Sequence, residues 1–86
     1  MKIGTTFRGE FRGVSERPYT AKDGSTQKSY KVGVELDNGE MGQLPCGKEF
    51  LLSLDETGTV KGDNVKFFAE YDSDYNRLRV LGVMLE

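Results

Sequence analysis

The 86-residue chain contains no histidine and a single cysteine, and these two shortages exclude much of the chemistry open to a small protein. Without histidine the commonest general base is missing, and neither a Ser-His nor a Cys-His nucleophile pair can be assembled. Cys46 alone cannot close an internal disulfide, and a zinc site has almost no soft ligands to draw on. A non-catalytic chain with no cofactor and no metal is expected, with Cys46 as a small apolar filler. Long apolar runs are also missing, since none approaches the ~20 residues needed to span a bilayer. The start Met1-Lys2-Ile3-Gly4 lacks the apolar stretch of a secretory signal. These absences predict a cytoplasmic protein with no membrane partner. The chain has no internal repeat, low-complexity segment or linker.

What is present fits one domain over residues 1–86 with one small core, burying roughly 60% of its unfolded surface. With 36% hydrophobic and 30% charged residues, the composition is that of a globular domain rather than a disordered segment. The formal net charge of -2 hides an uneven distribution. Residues 1–31 carry seven bases (Lys2, Arg8, Arg12, Arg17, Lys22, Lys28, Lys31) against three acids (Glu10, Glu16, Asp23), a balance of +4. Residues 32–86 carry five bases against eleven acids, a balance of -6. Such polarity either gives one face a positive field or is simply a solvated surface.

Hydrophobic alternation then marks five strands. In Thr5 to Val14, Phe7, Gly9, Phe11 and Gly13 face one side while Thr6, Arg8, Glu10 and Arg12 face the other. In Ser29 to Leu36, Tyr30, Val32, Val34 and Leu36 alternate with Ser29, Lys31, Gly33 and Glu35. The stretch from Glu16 to Gln27 is polar and rich in turn formers, and it reads as a projecting loop. Asn38-Gly39 signals a tight turn into a third strand, about Glu40 to Leu44, ending near Pro45 because proline cannot donate to a ladder. Lys48 to Leu54 is a short helix or a short strand, and Asp55 to Thr59 reads as a loop. Val65 to Tyr71 is the fourth strand, Asp72 to Asp74 a turn, and Tyr75 to Leu85 the fifth strand. The apolar phase of this last strand changes near Gly82, which a bulge, or burial of both faces near the C-terminus, would explain.

Five strands with a short insert between the third and fourth predict an all-β, five-stranded, OB-fold-like Greek-key barrel; an SH3-like barrel is the rival, and the insert favours the first. In OB-folds the ligand lies across strands two and three, gripped by the loops between strands one and two and between four and five.

The order of features resembles the small single-stranded-DNA-binding, helix-destabilising proteins of filamentous phages. Carrying the resemblance are Gly13-Val14-Ser15, Arg17-Pro18-Tyr19-Thr20, the strand, tight turn and strand that follow, and a late hairpin ending in Arg77-Leu78-Arg79-Val80. It implies a homodimeric OB-fold that coats single-stranded DNA cooperatively during replication, without sequence specificity. The chain departs from that pattern in being acidic overall.

A sequence-tolerant single-strand binder needs cations along the phosphates and flat side chains for stacking. Arg8 and Arg12 fall on the polar face of the first strand, pointing the same way. Arg17, Lys22 and Lys28 lie in or beside the loop, and Lys31 on the polar face of the second strand. Tyr19 is either a base-stacking residue or a loop tyrosine packed on the barrel rim. Phe68, out of phase with Phe67, stacks bases or enters a dimer interface, and Tyr75 stacks or packs on its turn. Arg77 and Arg79 extend the phosphate track or pair with Glu70, Asp72 and Asp74. That acidic trio lacks the remaining ligands of a calcium loop and reads as a solvated hairpin tip. Phe7, Phe11, Val32, Val34, Val65, Phe67 and Leu78 belong to the core, and Tyr30 fits there better than at a site.

Two functions follow. One is a single-stranded DNA-binding module, with RNA as a close variant, that forms homodimers to cover exposed strand edges. The other is a small-barrel protein interaction or assembly module. Phosphate contacts lose affinity steeply with salt, whereas an apolar interface does not.

Overall fold

A computed structural model describes residues 1–85. The elements are β1 (Lys2–Thr20), β2 (Thr26–Glu35), β3 (Met41–Cys46), α1 (Lys48–Thr57), β4 (Asn64–Asp72) and β5 (Arg77–Leu85). The sheet closes as a barrel in the order β1-β2-β3-β5-β4, with β4 returning to β1. This is the expected OB-fold-like architecture, with the short helix between β3 and β4.

The first strand is longer than its alternation predicted, because one strand serves two neighbours. Its first half, Lys2 to Glu10, pairs antiparallel with β4, and its second half, Glu10 to Thr20, pairs antiparallel with β2. Between them the register shifts: Phe11 opposes Val34 but Val14 opposes Val32, so β1 carries one extra residue. Gly13 takes φ 104 at this bulge, a conformation that side chains other than glycine adopt at a cost. The bend releases Phe11 on the β4 side, where its N–H donates to the Asp63 carbonyl and its carbonyl accepts from the Gly62 N–H, both at 2.8 Å.

The expected projecting loop from Glu16 to Gln27 is instead mostly a two-stranded ribbon. Pairing continues out to Thr20 opposite Thr26, leaving only residues 21–25 as the turn. Gly24 N–H donates to the Ala21 carbonyl at 3.0 Å, Ala21 N–H to the Ser25 carbonyl at 2.9 Å, and Asp23 accepts from both N–H and hydroxyl of Ser25. The anticipated Asn38-Gly39 turn has the same construction, with Gly39 N–H to the Leu36 carbonyl, Leu36 N–H to the Glu40 carbonyl and Asn38 accepting from Glu40 N–H. Both glycines are left-handed, at φ 87 and 86.

Pro45 stands inside β3 opposite Lys31, one residue beyond the expected end. On its other side β3 meets β5 at one rung, Cys46 opposite Val80, running parallel. Above that rung the strands diverge around an apolar slot of about 350 Å³, lined by Phe7, Val34, Leu36, Met41, Leu44 and Leu78 among others.

Lys48 to Leu54 resolves as helix, and the helix runs on through Asp55–Thr57, which the sequence reading gave to a loop. It ends at Gly58, φ 69, whose N–H donates to the Leu54 carbonyl. Its one fully buried side chain, Phe50, stacks on Phe67 at 6.3 Å and tilts against Phe11 at 6.4 Å, while Phe67 stacks on Phe7 at 5.1 Å. These rings and the buried Val32, Val34, Val65, Val80 and Val83 fill the barrel; Phe7 and Leu78 are half-buried beside the slot. The expected bulge in β5 falls at Leu81, since Phe68 opposes Gly82 but Ala69 opposes Val80. Ser53 pins α1 there, its hydroxyl accepting from the Val83 N–H at 3.0 Å and donating to the Val83 carbonyl at 3.2 Å. Among the described residues no helix is long and apolar enough to cross a membrane.

Candidate functional site

Strand alternation sorts the ribbon and the sheet beyond it into two faces. Val32 and Tyr30 point toward the core, which leaves Lys31, Ser29 and Gln27 of β2 outside, opposite Ser15, Arg17 and Tyr19 of β1 and Pro45 of β3. Three open depressions lie along these strands. The first, about 570 Å³, is lined by Arg12, Gly13, Ser15, Gln43 and Lys61 among others. Ser15 and Gln43 also line the second, about 290 Å³, with Glu16, Arg17, Ser29 and Lys31. Ser29 also lines the third, about 640 Å³, with Tyr19, Lys28, Tyr30, Pro45 to Glu49, Arg77 and Arg79; Lys28, Tyr30 and Cys46 belong to the core-facing phase of their strands, so this depression reaches beyond the outer face. Neighbouring depressions share Ser15 and Gln43, or Ser29, and the three together are called the channel.

Its charge is far from that of the whole molecule. Eight of the twelve Lys and Arg residues line it, but among the described residues only two carboxylates do, Glu16 and Glu49. Low-dielectric walls around one sign of charge concentrate the field. Among the described residues Arg17, Lys31, Lys48, Lys61 and Arg77 make no ion pair; Lys28 pairs with Glu16 at 3.3 Å and Arg79 with Glu49 at 2.9 Å. Arg12 is held by Glu10, whose hydrogen bond and charge push the guanidinium pKa up further.

Tyr19 lies on the outer face and is 47% exposed, its hydroxyl donating to Gln27 Oε1 at 3.2 Å. Half-buried Tyr30 belongs partly to the core, as expected, but also forms the channel floor. The structure therefore gathers Arg12, Arg17, Tyr19, Lys28, Lys31 and Arg77 of the sequence-predicted residues. Four others lie elsewhere. Arg8 is on the half of β1 paired with β4, opposite Lys66, so the bulge separates it from Arg12. Phe68 faces out on β4, opposite Thr6 of β1, in a separate hollow with Gly4 and Leu81. Lys22 sits at the ribbon tip, and Tyr75, 79% exposed, in the 73–76 turn; neither lines the channel.

The carboxylates near β5 are engaged otherwise than expected. Glu70 meets Lys2 at 3.9 Å, Asp74 meets the Met1 amino group at 3.0 Å, and Asp72 accepts from the Asp74 N–H. Arg79 turns instead to Glu49, across the backbone of Gly47, where any side chain would collide with the guanidinium.

Sequence reasoning did not place Lys48 or Lys61 at the site. Lys61 arrives because its loop is hydrogen-bonded to Phe11 beside the bulge, and Lys48 because α1 starts directly under the end of β3. No local pattern signals either. No family model, curated protein or solved structure matches the chain.

Proposed function

We propose that the chain binds single-stranded DNA without strong sequence preference, in the channel over β1, β2 and β3, and that it performs no catalysis. The observation that carries this reading is the sorting of charge: eight cations and, among the described residues, two carboxylates line three adjoining depressions of an acidic molecule. Arg12, Arg17, Lys28, Lys31, Lys48, Lys61, Arg77 and Arg79 neutralise phosphates, and Tyr19 stacks a base. The position supports it as well, because OB-folds hold extended polymers on this face between these two hairpins. Coating of single strands during replication is the role that such sequence-tolerant binding suits.

The same reading includes a homodimer. Above the Cys46–Val80 rung the β3 edge has no sheet partner among the described residues, and the apolar slot opens beside it. Unpaired edges of this kind are a liability that a second copy removes. Light scattering is expected to give twice the 9.6 kDa chain mass; a single 9.6 kDa species at high concentration removes the dimer and leaves the channel.

The test of binding is anisotropy titration of labelled oligothymidine at two salt concentrations, with duplex DNA and oligouridine as competitors. Binding is expected to be salt-sensitive and to resist duplex competition, and Tyr19→Ala should weaken it by about 1–3 kcal/mol, the worth of one base stack. Preference for oligouridine would reassign the channel to RNA. No binding at low salt sinks the nucleic-acid reading and leaves the slot, as a protein-docking surface, to explain the fold's use.

A further inference from the structure

We infer that Glu16 and Glu49 are specificity-determining residues of the channel: each carboxylate occupies a cation that would otherwise hold a phosphate, so a strand seats fully only by displacing both. The inference rests on the single-strand reading above. Among the described residues these are the two carboxylates that line the channel, and each is paired to a channel cation, Glu16 to Lys28 at 3.3 Å and Glu49 to Arg79 at 2.9 Å. Neither pair is buried; all four side chains stay about half exposed, so an incoming phosphate has access to both cations. The second seat is fixed, because the bare backbone of Gly47 provides the space in which the Arg79 guanidinium lies.

The consequence is discrimination by length. A tethered carboxylate competes at an effective concentration that a free mononucleotide reaches only in the millimolar range. A long strand also contacts Arg17, Lys31, Lys48, Lys61 and Arg77, which make no ion pair among the described residues, and these contacts offset the exchange at the two seats; Arg12 is a third paired cation, held by Glu10, which does not itself line the channel. Exchange also hides part of the salt response. A phosphate that displaces a carboxylate releases its own counterion, but the freed carboxylate takes one up.

Glu16→Gln, Glu49→Gln and the double variant test this, with Glu56→Gln as control. Glu56 is exposed on α1 with no ion pair among the described residues, and its substitution changes net charge by the same amount. Affinities for a long oligothymidine and for thymidine monophosphate are measured by anisotropy and competition across a salt series, with thermal melts confirming the fold. Each channel substitution is expected to tighten oligothymidine binding about two- to fivefold and to steepen the log-log salt slope by about 0.7. Thymidine monophosphate should gain proportionally more, narrowing the length discrimination, while Glu56→Gln leaves all three unchanged. Equal tightening by Glu56→Gln would reduce the effect to the overall field and overturn the inference. So would wild-type binding that neither channel substitution alters. Absence of binding by every protein would instead overturn the single-strand reading itself, and this inference with it.

Discussion

Gly47 and Cys46 sit side by side at the lip of the groove, and each is there for the space it leaves or fills. A methyl group at position 47 meets the end of the flexible Arg79 side chain and Glu49 Oε1, both of which can move. Gly47→Ala is therefore expected to leave the thermal midpoint nearly unchanged while displacing Arg79 and weakening oligothymidine binding. A large loss of stability would instead mean that the backbone there needs glycine. Cys46 is buried, and desolvation pushes its thiol from 9.0 up to about 11. The folded chain then keeps a proton that the unfolded chain has lost, so this group's contribution is full below pH 9 and disappears as pH rises through 11. The urea midpoint of the wild type should fall more than that of Cys46→Ala between those values, and a matching decline would refute the burial effect. Residue by residue, alternation identified Phe11, Val32, Val34, Val65 and Phe67 as interior, because a period of two needs only local sequence. Phe50 escaped it: a ring in an unassigned seven-residue stretch has no face until the helix is known.

The same contrast holds for whole elements. Asn38-Gly39 and Asp23-Gly24 build matching turns, yet only the first was legible as one, because apolar strands flank it. Around Asp23-Gly24 the flanks are polar on both sides, so the ribbon carries no hydrophobic register and reads as loop. Its pairing rests on the turn and on ladder hydrogen bonds. The bulge in β5 was visible as a phase change, whereas the one in β1 was not, since Arg12 and Gly13 continue the apparent alternation through it. Gly13→Ala should cost about 1–3 kcal/mol in urea unfolding, and because the bulge directs Arg12 and brings Lys61 near, it should also weaken binding. Phe50→Ala removes the ring joining α1 to Phe67 and Phe11; a loss of about 3–5 kcal/mol is expected, enough to unfold much of a barrel this small. A variant melting close to wild type would show that α1 is dispensable to the core.

At the scale of the molecule, the net charge of -2 misdescribes the surface that matters. The sequence halves differ in sign, but Lys48, Lys61, Arg77 and Arg79 come from the acidic half and reach the channel only through barrel closure. Tertiary placement of this kind has no local signature, which is why Lys48 and Lys61 were not found, whereas Arg77 and Arg79 were legible from their shared face on the last strand. With five channel cations free of ion pairs among the described residues, the wild-type log-log salt slope for oligothymidine should be about -3.5. A slope near zero would exclude phosphate contacts altogether. The barrel itself closes like a split ring. Its joint is the one rung between Cys46 and Val80, and the largest of the three depressions lies beside it, lined by Pro45 to Glu49 and by Arg77 and Arg79 among others. Helix α1 clasps that joint: it begins directly after β3 and is tied to β5 by the Glu49–Arg79 pair and the two Ser53–Val83 hydrogen bonds, so parting the two strands requires breaking those contacts as well as the rung.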